Sequence, residues 1–382
     1  GFTDDLSTRA ITFLEGGATL DMNGNNLVLA NSIGGAGGFT KVGEGDLTLS
    51  AVASYSGTTT FTNGTLTLGV DNALPSGTAL LLNSGTTAAI LDTNGFNQTL
   101  GSLTNTTNST LLTTQVIIDS GTTLTVNGPV LIGSNAAAGA TTLFTATGGG
   151  SFVQNQAGGI FQLGGATGDT NTNAATADFS GLANFTVNLG NTGVFRLGDN
   201  NTPFTPTSSS TLTLASVSNT ITTGILGLGD AQGQSGTLTL ALGGGANTIN
   251  ADTVYIGAAS PSARGAGALV FSGAGGTLTL RGSSGGASRA DVAMTTASIS
   301  TSASSSNTFL LAGHSVDVLI NTFLMSERTA NTGSVTSAFT FDTGTLDITS
   351  LIMSRRSGAG TGDSTSTVTL GGGTSTIGSI DM

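Results

Sequence analysis

Residues 219–257 carry the pattern that decides the fold, and they read NTITTGILGLGDAQGQSGTLTLALGGGANTINADTVYIG. Three short apolar segments stand out, at 226–228, 237–242 and 247–249. Each alternates or intersperses apolar residues with small or polar ones, as half-buried β-strands do. The last segment, Asn-Thr-Ile, repeats the Asn-Thr-Ile of 219–221. The stretch therefore predicts a structural unit of about 28 residues that contains three strands.

An apolar-x-apolar motif followed by Gly or Ser recurs along the chain at nearly the same spacing. Its copies are V-L-I-G at 130–133, F-Q-L-G at 161–164, F-R-L-G at 195–198, L-G-L-G at 226–229, V-Y-I-G at 254–257, F-L-M-S at 323–326 and L-I-M-S at 351–354. Only one interval, from 254 to 323, is much longer than the others. This interval predicts two units plus an insertion, which we assign to the Ser-, Ala- and Gly-rich residues 282–307.

The repeat predicts an all-β fold built by stacking. Alternating Thr and Leu mark further strands at 65–68, 211–214 and 277–280, and no segment has sustained helical periodicity. A unit of this size cannot bury its own apolar face, so it must stack on its neighbours. We therefore predict a single-stranded parallel β-helix, or β-solenoid, with about 28–31 residues and three short strands per coil. It would form one elongated domain over residues 1–382, a rod roughly 60–65 Å long if 12–14 coils stack about 4.8 Å apart.

The composition excludes several functional classes. The chain has 60 Gly, no Cys and one His, so disulfides and Cys- or His-based metal sites are not expected. A net charge of −12 argues against a nucleic-acid partner. No apolar run reaches about 18 residues, so the chain is not predicted to span a membrane. Only 8% of residues are charged, which suits coils whose like side chains lie directly above one another.

Residues 38–69 carry a more specific pattern. They contain GFTKVGEGDLTLS at 38–50, YSGTT at 55–59 and NGTLTLG at 63–69. This sequence resembles the autotransporter-associated β-strand repeat, also called the passenger-associated transport repeat, and the similarity extends over residues 11–135. The resemblance implies a right-handed β-helix that is secreted or displayed on a bacterial cell surface, as a stalk or an adhesin. It implies no catalytic residues and no cofactor-binding residues.

Paired carboxylates are the groups that a carbohydrate-active β-helix would use. The candidates are Asp342 and Asp347, which lie one predicted coil from Arg355 and Arg356. The alternative to a structural role is therefore a polysaccharide lyase or hydrolase that uses these four residues. The favoured interpretation is that the carboxylates occupy solvated turns, where Asp is common. We accordingly predict no catalytic residue and no enzymatic activity.

A second candidate site is an acidic column. Gly-Asp recurs at 168–169, 198–199 and 229–230, close to the spacing of the coils, which places Asp169, Asp199 and Asp230 along one predicted corner. Ca²⁺ prefers oxygen ligands, so a weak calcium site is the alternative to having no cofactor. The favoured interpretation is again a series of turns, because the spacing departs from the nonapeptide calcium repeat of β-helices. No metal ligand is therefore predicted.

Two features predict self-association. Residues 379–382 resemble residues 350–353, so the sequence stops within a strand, and an uncapped coil favours head-to-tail stacking of copies. The motif is followed by Arg at 328 and 355–356, whereas earlier copies are followed by Asp. Charge that reverses along one edge predicts lateral electrostatic contact between rods.

Insertions would supply the surface for any other partner. We predict them at 134–150, 164–178, 200–210 and 282–307, where they would project from corners of the helix. A host-surface or polysaccharide receptor would bind there. Taken together, the sequence predicts a non-enzymatic extracellular structural protein: a β-helical stalk, adhesin or fibre-forming subunit of a bacterial surface.

Overall fold

The computed structural model of the chain describes residues 7, 9–84, 87–107, 113–133, 141–164, 174–198, 209–229, 237–257, 266–296, 304–328, 333–356 and 361–382. The regular secondary structure of these residues consists of β-strands. In chain order the strands are β1 (Ile11–Phe13), β2 (Ala18–Asp21), β3 (Leu27–Leu29), β4 (Ile33–Gly35), β5 (Phe39–Val42), β6 (Asp46–Leu49), β7 (Thr59–Phe61), β8 (Gly64–Leu68), β9 (Ala79–Ser84), β10 (Ala89–Asp92), β11 (Gln98–Leu100), β12 (Ser102–Thr107), β13 (Thr113–Ile117), β14 (Thr123–Val126), β15 (Val130–Ile132), β16 (Thr141–Thr147), β17 (Ser151–Asn155), β18 (Ile160–Leu163), β19 (Ala174–Asp178), β20 (Asn184–Asn188), β21 (Val194–Leu197), β22 (Ser210–Thr213), β23 (Ser218–Leu228), β24 (Thr237–Leu242), β25 (Ala246–Ile256), β26 (Ala266–Phe271), β27 (Thr277–Arg281), β28 (Ala290–Thr296), β29 (Ser305–Leu310), β30 (Ser315–Arg328), β31 (Val335–Phe341), β32 (Thr343–Met353), β33 (Ser364–Leu370) and β34 (Thr374–Asp381).

All of these strands except β1 and β4, which pair in parallel as a separate two-stranded sheet, form three faces that run along the molecule, and the strands within each face pair in parallel. Face A joins β2, β5, β7, β9, β12, β15, β18 and β21, then the second halves of β23 and β25, then β28 and the second halves of β30, β32 and β34. Face B joins β11, β14, β17 and β20, the first halves of β23 and β25, then β27 and the first halves of β30, β32 and β34. Face C is a 13-stranded sheet with the order β3-β6-β8-β10-β13-β16-β19-β22-β24-β26-β29-β31-β33.

The order of the faces along the chain confirms the predicted fold class. From β12 onward the chain visits face A, then face C, then face B, and returns to face A one layer higher. This winding is a right-handed parallel β-helix, the hand expected for parallel crossover connections. Thirteen layers at the usual strand spacing of about 4.8 Å give a rod about 60 Å long.

The wide coils, defined as residues 123–381, have all three faces. In-register residues on face A mark successive layers at Val130, Phe161, Phe195, Leu226, Val254, Val292, Phe323, Leu351 and Ile380. Most of these positions follow one another at close to the predicted spacing, and the longest interval runs from Val254 to Val292. Small changes in corner length therefore leave the register of face A intact.

The long interval between Val254 and Phe323 contains two coils, as predicted, but the predicted insertion over 282–307 is wrong for much of its length. Strand β28 lies within it on face A, and its Ala290, Val292 and Met294 are buried. Thr295 follows the apolar pair where other copies carry Gly or Ser, so the motif search missed this coil. Among the described residues of this interval, the connection at 282–289 is the added segment between faces B and A, and backbone hydrogen bonds fold it.

Two further predicted insertions are also partly wrong. The range 134–150 includes β16, and the range 164–178 includes β19, and both strands belong to face C. Residues 134–140, 165–173 and 199–208 lie outside the described residues. The predicted binding surface at 200–210 therefore falls almost entirely outside them.

The narrow coils, defined as residues 18–92, are shorter than predicted. Phe39 pairs with Ala18 in the preceding layer and with Thr59 in the following layer, so a coil here takes only about 20 residues. On the third side of these coils, β4 pairs in parallel with β1 as a separate two-stranded sheet, and loops at 50–58 and 69–78 close that side in the following layers. The first of these loops stacks on β4 through backbone hydrogen bonds, such as that from Ser56 N to Gly35 O at 3.0 Å. The third side of this part of the rod is therefore shorter in regular strand than faces A and C.

A left-handed residue ends the face A strand in most wide coils. Gly133, Gly164, Gly198, Gly229, Gly257, Ser326 and Ser354 have φ between 54° and 110°. This conformation explains the Gly or Ser of the sequence motif, since Gly reaches it without steric cost. At Gly229 a Cβ would also lie 2.9 Å from the carbonyl oxygen of Ala266.

Inward-facing side chains form one continuous core that extends from Phe13 to Leu351. In the centre of the rod, Phe rings from neighbouring layers stack on one another, with 4.5 Å between the ring centroids of Phe161 and Phe195. Phe185 is fully buried and contacts three other rings. Because each layer covers the apolar side chains of the next, the core stabilises the stack rather than any single coil.

Candidate functional site

The charged residues of the last coils are joined in pairs between layers. Arg289 precedes β28, and its guanidinium reaches Asp347 on β32, with Nη2 2.5 Å from Oδ2 and Nη1 3.1 Å from Oδ1. Nη1 also donates to the carbonyl oxygen of Ile320 in the intervening layer. One side chain therefore joins three successive layers at the corner between faces B and A.

This contact shifts the pKa values of Arg289 and Asp347, and both shifts favour the charged form of the side chain. The hydrogen bond from Arg289 holds the pKa of the Asp347 carboxyl below its usual value. The same hydrogen bond raises the pKa of Arg289. Asp347 is thus kept ionised by a bidentate partner, which favours a binding contact over the proton transfer that a general acid must perform.

The other three residues of the predicted polysaccharide site have different surroundings. Both carboxylate oxygens of Asp342 accept from the Gly313 backbone N–H at 2.9 Å. Arg355 donates to Glu327 Oε1 through Nε at 2.9 Å and Nη2 at 2.5 Å. Arg356 forms a parallel backbone bridge with Arg328. The cation that contacts Asp347 is therefore Arg289 rather than Arg355 or Arg356.

A third pair repeats the arrangement one layer lower. Arg281 ends β27 and donates to Asp317 on β30, both to the carboxylate at 2.5 Å and to the backbone oxygen at 2.8 Å. Sequence reasoning missed Arg281 and Arg289, which are far from their partners along the chain. Only the strand register, which places β27 against β30, would have indicated the first pair.

Arg328 does not lie on an exposed charged edge, contrary to the sequence prediction. Its side chain is buried, and Nη1 donates to the carbonyl oxygen of Gly333 at 3.2 Å. A Cβ at Gly362 would clash with the same guanidinium nitrogen. The cation is therefore part of the interior of a corner, where it supports the turn from face A to face C.

Lys41, the single lysine of the chain, is buried in the narrow coils. It points inward from β5, and Nζ donates to the carbonyl oxygens of Asn63 at 2.6 Å and Gly43 at 3.0 Å. The ammonium also lies 5.0 Å from the centroid of the Phe61 ring, within the range of a cation–π contact. Burial lowers the pKa of Lys41 to about 8, although Asp46 and Asp21 act in the opposite direction.

Tyr55 is the second buried titratable group of the narrow coils. Its hydroxyl lies 2.5 Å from Thr59 Oγ1, which in turn lies 2.9 Å from Thr78 Oγ1. Burial raises the pKa of Tyr55 to about 12, so the phenol stays neutral at ordinary pH. An open depression of about 460 Å³ lies beside it, and its lining residues, which include Val52 and Pro75, carry no charged side chain.

The predicted calcium column cannot be placed, since Asp169, Asp199 and Asp230 lie outside the described residues. Within the described ranges, no group of three or more His, Asp or Glu side chains is arranged to hold a metal ion. Nor does any helix in that part of the chain have the length and hydropathy to cross a membrane.

The described polar groups define a class of molecule: a parallel β-helix in which ionic contacts serve to join one layer to the next. No family model, curated protein or solved structure matches this chain.

Proposed function

We propose that the protein is a non-enzymatic structural rod, used as a stalk, adhesin or fibre subunit. The observation that carries this proposal is that charged residues of the last coils pair with one another between layers. Arg281, Arg289 and Arg355 are each paired with a carboxylate of another layer. Ion pairs that cross layers add connections along the rod axis, and they leave these arginines and carboxylates engaged with each other rather than with a substrate.

The continuous core supports the same proposal. A load applied along a β-helix is resisted by the backbone hydrogen bonds of three faces and by side chains stacked across layers. The single lysine is buried, so trypsin has little to cleave at lysine in the folded rod. Both properties suit a protein exposed to mechanical stress and proteases outside a cell.

The proposed location is the exterior of a bacterium, either secreted or attached to the cell surface. The basis for this location is the resemblance of residues 11–135 to the passenger repeat. Receptor binding by an adhesin of this kind would be a property of the corners rather than of the flat faces, because exposed connections carry most binding residues in proteins.

Self-association belongs to this proposal, through lateral or head-to-tail contact between rods. Lateral contact would join the flat faces of two rods, which the parallel sheets present along the length of the molecule.

Two measurements test the proposed function. In negative-stain electron microscopy, we expect straight rods about 60 Å long, alone or in lateral bundles. In parallel, the protein is incubated with polygalacturonate, alginate and hyaluronan, and the release of unsaturated or reducing ends is followed. Turnover of any of these polymers that Asp347→Asn abolishes would replace the structural role by an enzymatic one.

A further inference from the structure

The last six strands of face C differ from the other two faces in their charge. The six strands β22, β24, β26, β29, β31 and β33 contain no Asp, Glu, Lys or Arg. In the same layers, face B carries Arg281, Asp317 and Asp347, and face A carries Asp291 and Glu327. The low charge of the whole chain does not explain this difference, because faces A and B of the same coils carry charged residues.

The outward side chains of this uncharged face form regular columns. One column is Thr211, Thr239, Ala268, Thr308, Ala338 and Thr367, of which Ala268 is buried and the others are half-buried or exposed. Beside it lie Val270 and the column of Leu310, Thr340 and Thr369. The six strands pair without a register shift, whereas face A has shifts between β28 and β30. The result is an even surface of methyl and hydroxyl groups.

We propose that this part of face C is the interface for a second copy of the same chain. The rows of side chains repeat at the strand spacing of about 4.8 Å. Another copy of the same face has rows at the same spacing, so ridges of one rod can fit between ridges of the other, as in stacked sheets. A globular partner has no such period, and a self-complementary face gives a closed two-fold dimer.

The size of the surface is sufficient for such a dimer. Six strands of about 20 Å cover about 29 Å of the rod, which gives about 600 Å² per copy and about 1,200 Å² in total. Stable interfaces begin at about 1,000–1,200 Å². Removing this face from water leaves no charge without a partner, so the desolvation cost that opposes burial of faces A and B does not apply.

This inference deepens the proposed function and rests on it in one respect, since a lateral dimer is the first step by which rods could form a bundle. It also differs from the lateral contact that the sequence predicts, since the proposed interface is uncharged and the predicted one is electrostatic. The arginines of the last coils are engaged within the chain, so the contact between copies would depend little on salt.

A matched pair of substitutions tests the proposal. Thr308→Lys places a charge in the middle of face C, and Thr279→Lys makes the same change at a half-buried, outward position of face B. Sedimentation velocity of the full chain at about 50 µM is expected to give a dimer for the wild type and for Thr279→Lys. Thr308→Lys is expected to weaken dimerisation by about tenfold or more, because two lysines would be buried near the two-fold axis. Circular dichroism and the melting temperature show that each variant has folded.

The outcomes separate this inference from the proposed function. A wild-type monomer at 50 µM overturns the dimer, as does a dimer that Thr279→Lys disrupts and Thr308→Lys does not. A dimer that dissociates between about 0.05 and 1 M NaCl also overturns it, since that result requires a charged interface. In each of these cases, monomeric rods that cleave no polysaccharide would leave the structural function standing.

Discussion

The narrow and wide coils both enclose an apolar core, but different structural elements enclose it. In the narrow coils, faces A and C and a third side of short strands and stacked loops enclose a core that includes Phe39 and Tyr55, and the interior holds the buried cation of Lys41. In the wide coils, three faces enclose a broader core of stacked Phe rings, and the described ion pairs lie on the outside. A β-helix can therefore add a face without losing the register of the faces that it already has.

Truncating a central ring is expected to have the largest effect. Phe185→Ala removes contacts with Phe152, Phe161 and Phe179, whose ring centroids lie within 4.9–5.7 Å. We expect the local free energy of unfolding, measured by hydrogen exchange in β17 and β20, to fall by about 3–5 kcal/mol. Thr186→Ala, at an outward position of the same strand, is the control and should change it by less than about 1 kcal/mol.

Truncating an aromatic ring in the narrow coils tests whether their core is packed as tightly as that of the wide coils. Phe39 contacts two rings, those of Phe13 and Tyr55, so Phe39→Ala is expected to cost less than Phe185→Ala. Hydrogen exchange in β5 and β7 measures the loss. An equal or greater loss would mean that the loops of the narrow coils pack as well as a strand does.

Left-handed corners are expected to matter in both regions. Gly45 (φ 104°) belongs to the narrow coils and Gly229 (φ 98°) to the wide coils, and a Cβ at either would meet a backbone carbonyl. Gly45→Ala and Gly229→Ala should each cost about 1–3 kcal/mol, seen as a lower urea midpoint. Gly244→Ala has open space around it and serves as the control. A neutral Gly229→Ala would show that the corner can rearrange.

The buried lysine is expected to give the narrow coils their own pH dependence. The pKa of Lys41 is about 8 in the folded chain against 10.5 for a free side chain, so between these values the unfolded chain binds more protons. Stability therefore rises with pH across this window, with a slope of at most about 1.4 kcal/mol per pH unit. Hydrogen exchange in β5 and β7, corrected for intrinsic rates, measures it.

Lys41→Met tests the assignment, since it keeps the packing over Phe61 and removes the titrating group. The slope between pH 8 and 10 should disappear in this variant, while exchange in the wide coils stays unchanged. Above about pH 10 the raised pKa of Tyr55 acts in the opposite direction, so the comparison stops there. A slope that survives Lys41→Met would assign the pH dependence to another group.

The smallest expected effect belongs to the ion pairs of the wide coils. Asp347→Asn should lower stability by about 0.2–1 kcal/mol, because the pair is partly exposed. The lowered pKa of Asp347 means that its contribution is present at neutral pH and is lost as the pH falls below about 4. About 1 M NaCl should reduce the difference between wild type and variant. Thr349→Ala, exposed on the same strand, is the control.

The sequence predicted the features that repeat, since a repeated pattern reports local geometry. The Gly of the motif at 226–229 marks a left-handed corner, and the spacing of the motif matches the coil length of the wide region. The coil of Val292 was hidden because Thr295 replaces the Gly that marks the other copies. In the later narrow coils, loops at 50–58 and 69–78 take the place of a third strand, so no regular third segment marked the shorter period.

The candidate site was less predictable for a physical reason. A strand register fixes which backbones are adjacent, but Arg289 reaches its carboxylate by lying along the rod across an intervening layer. The length of that side chain, rather than its place in the repeat, decides its partner. The alternation of β5 sets the inward direction of Lys41, but its two carbonyl acceptors depend on how the next corner closes.

The left-handed residue that ends the face A strand in most wide coils has a practical consequence for protein engineering. The chain between face A and face C is short between Arg328 and Val335 and about twice as long between Leu197 and Ser210, while the strands on either side keep their register. Foreign peptides grafted at several of these junctions would be presented in a row about 4.8 Å apart per layer. The rod would then hold epitopes or enzyme tags at distances set by the number of layers between them.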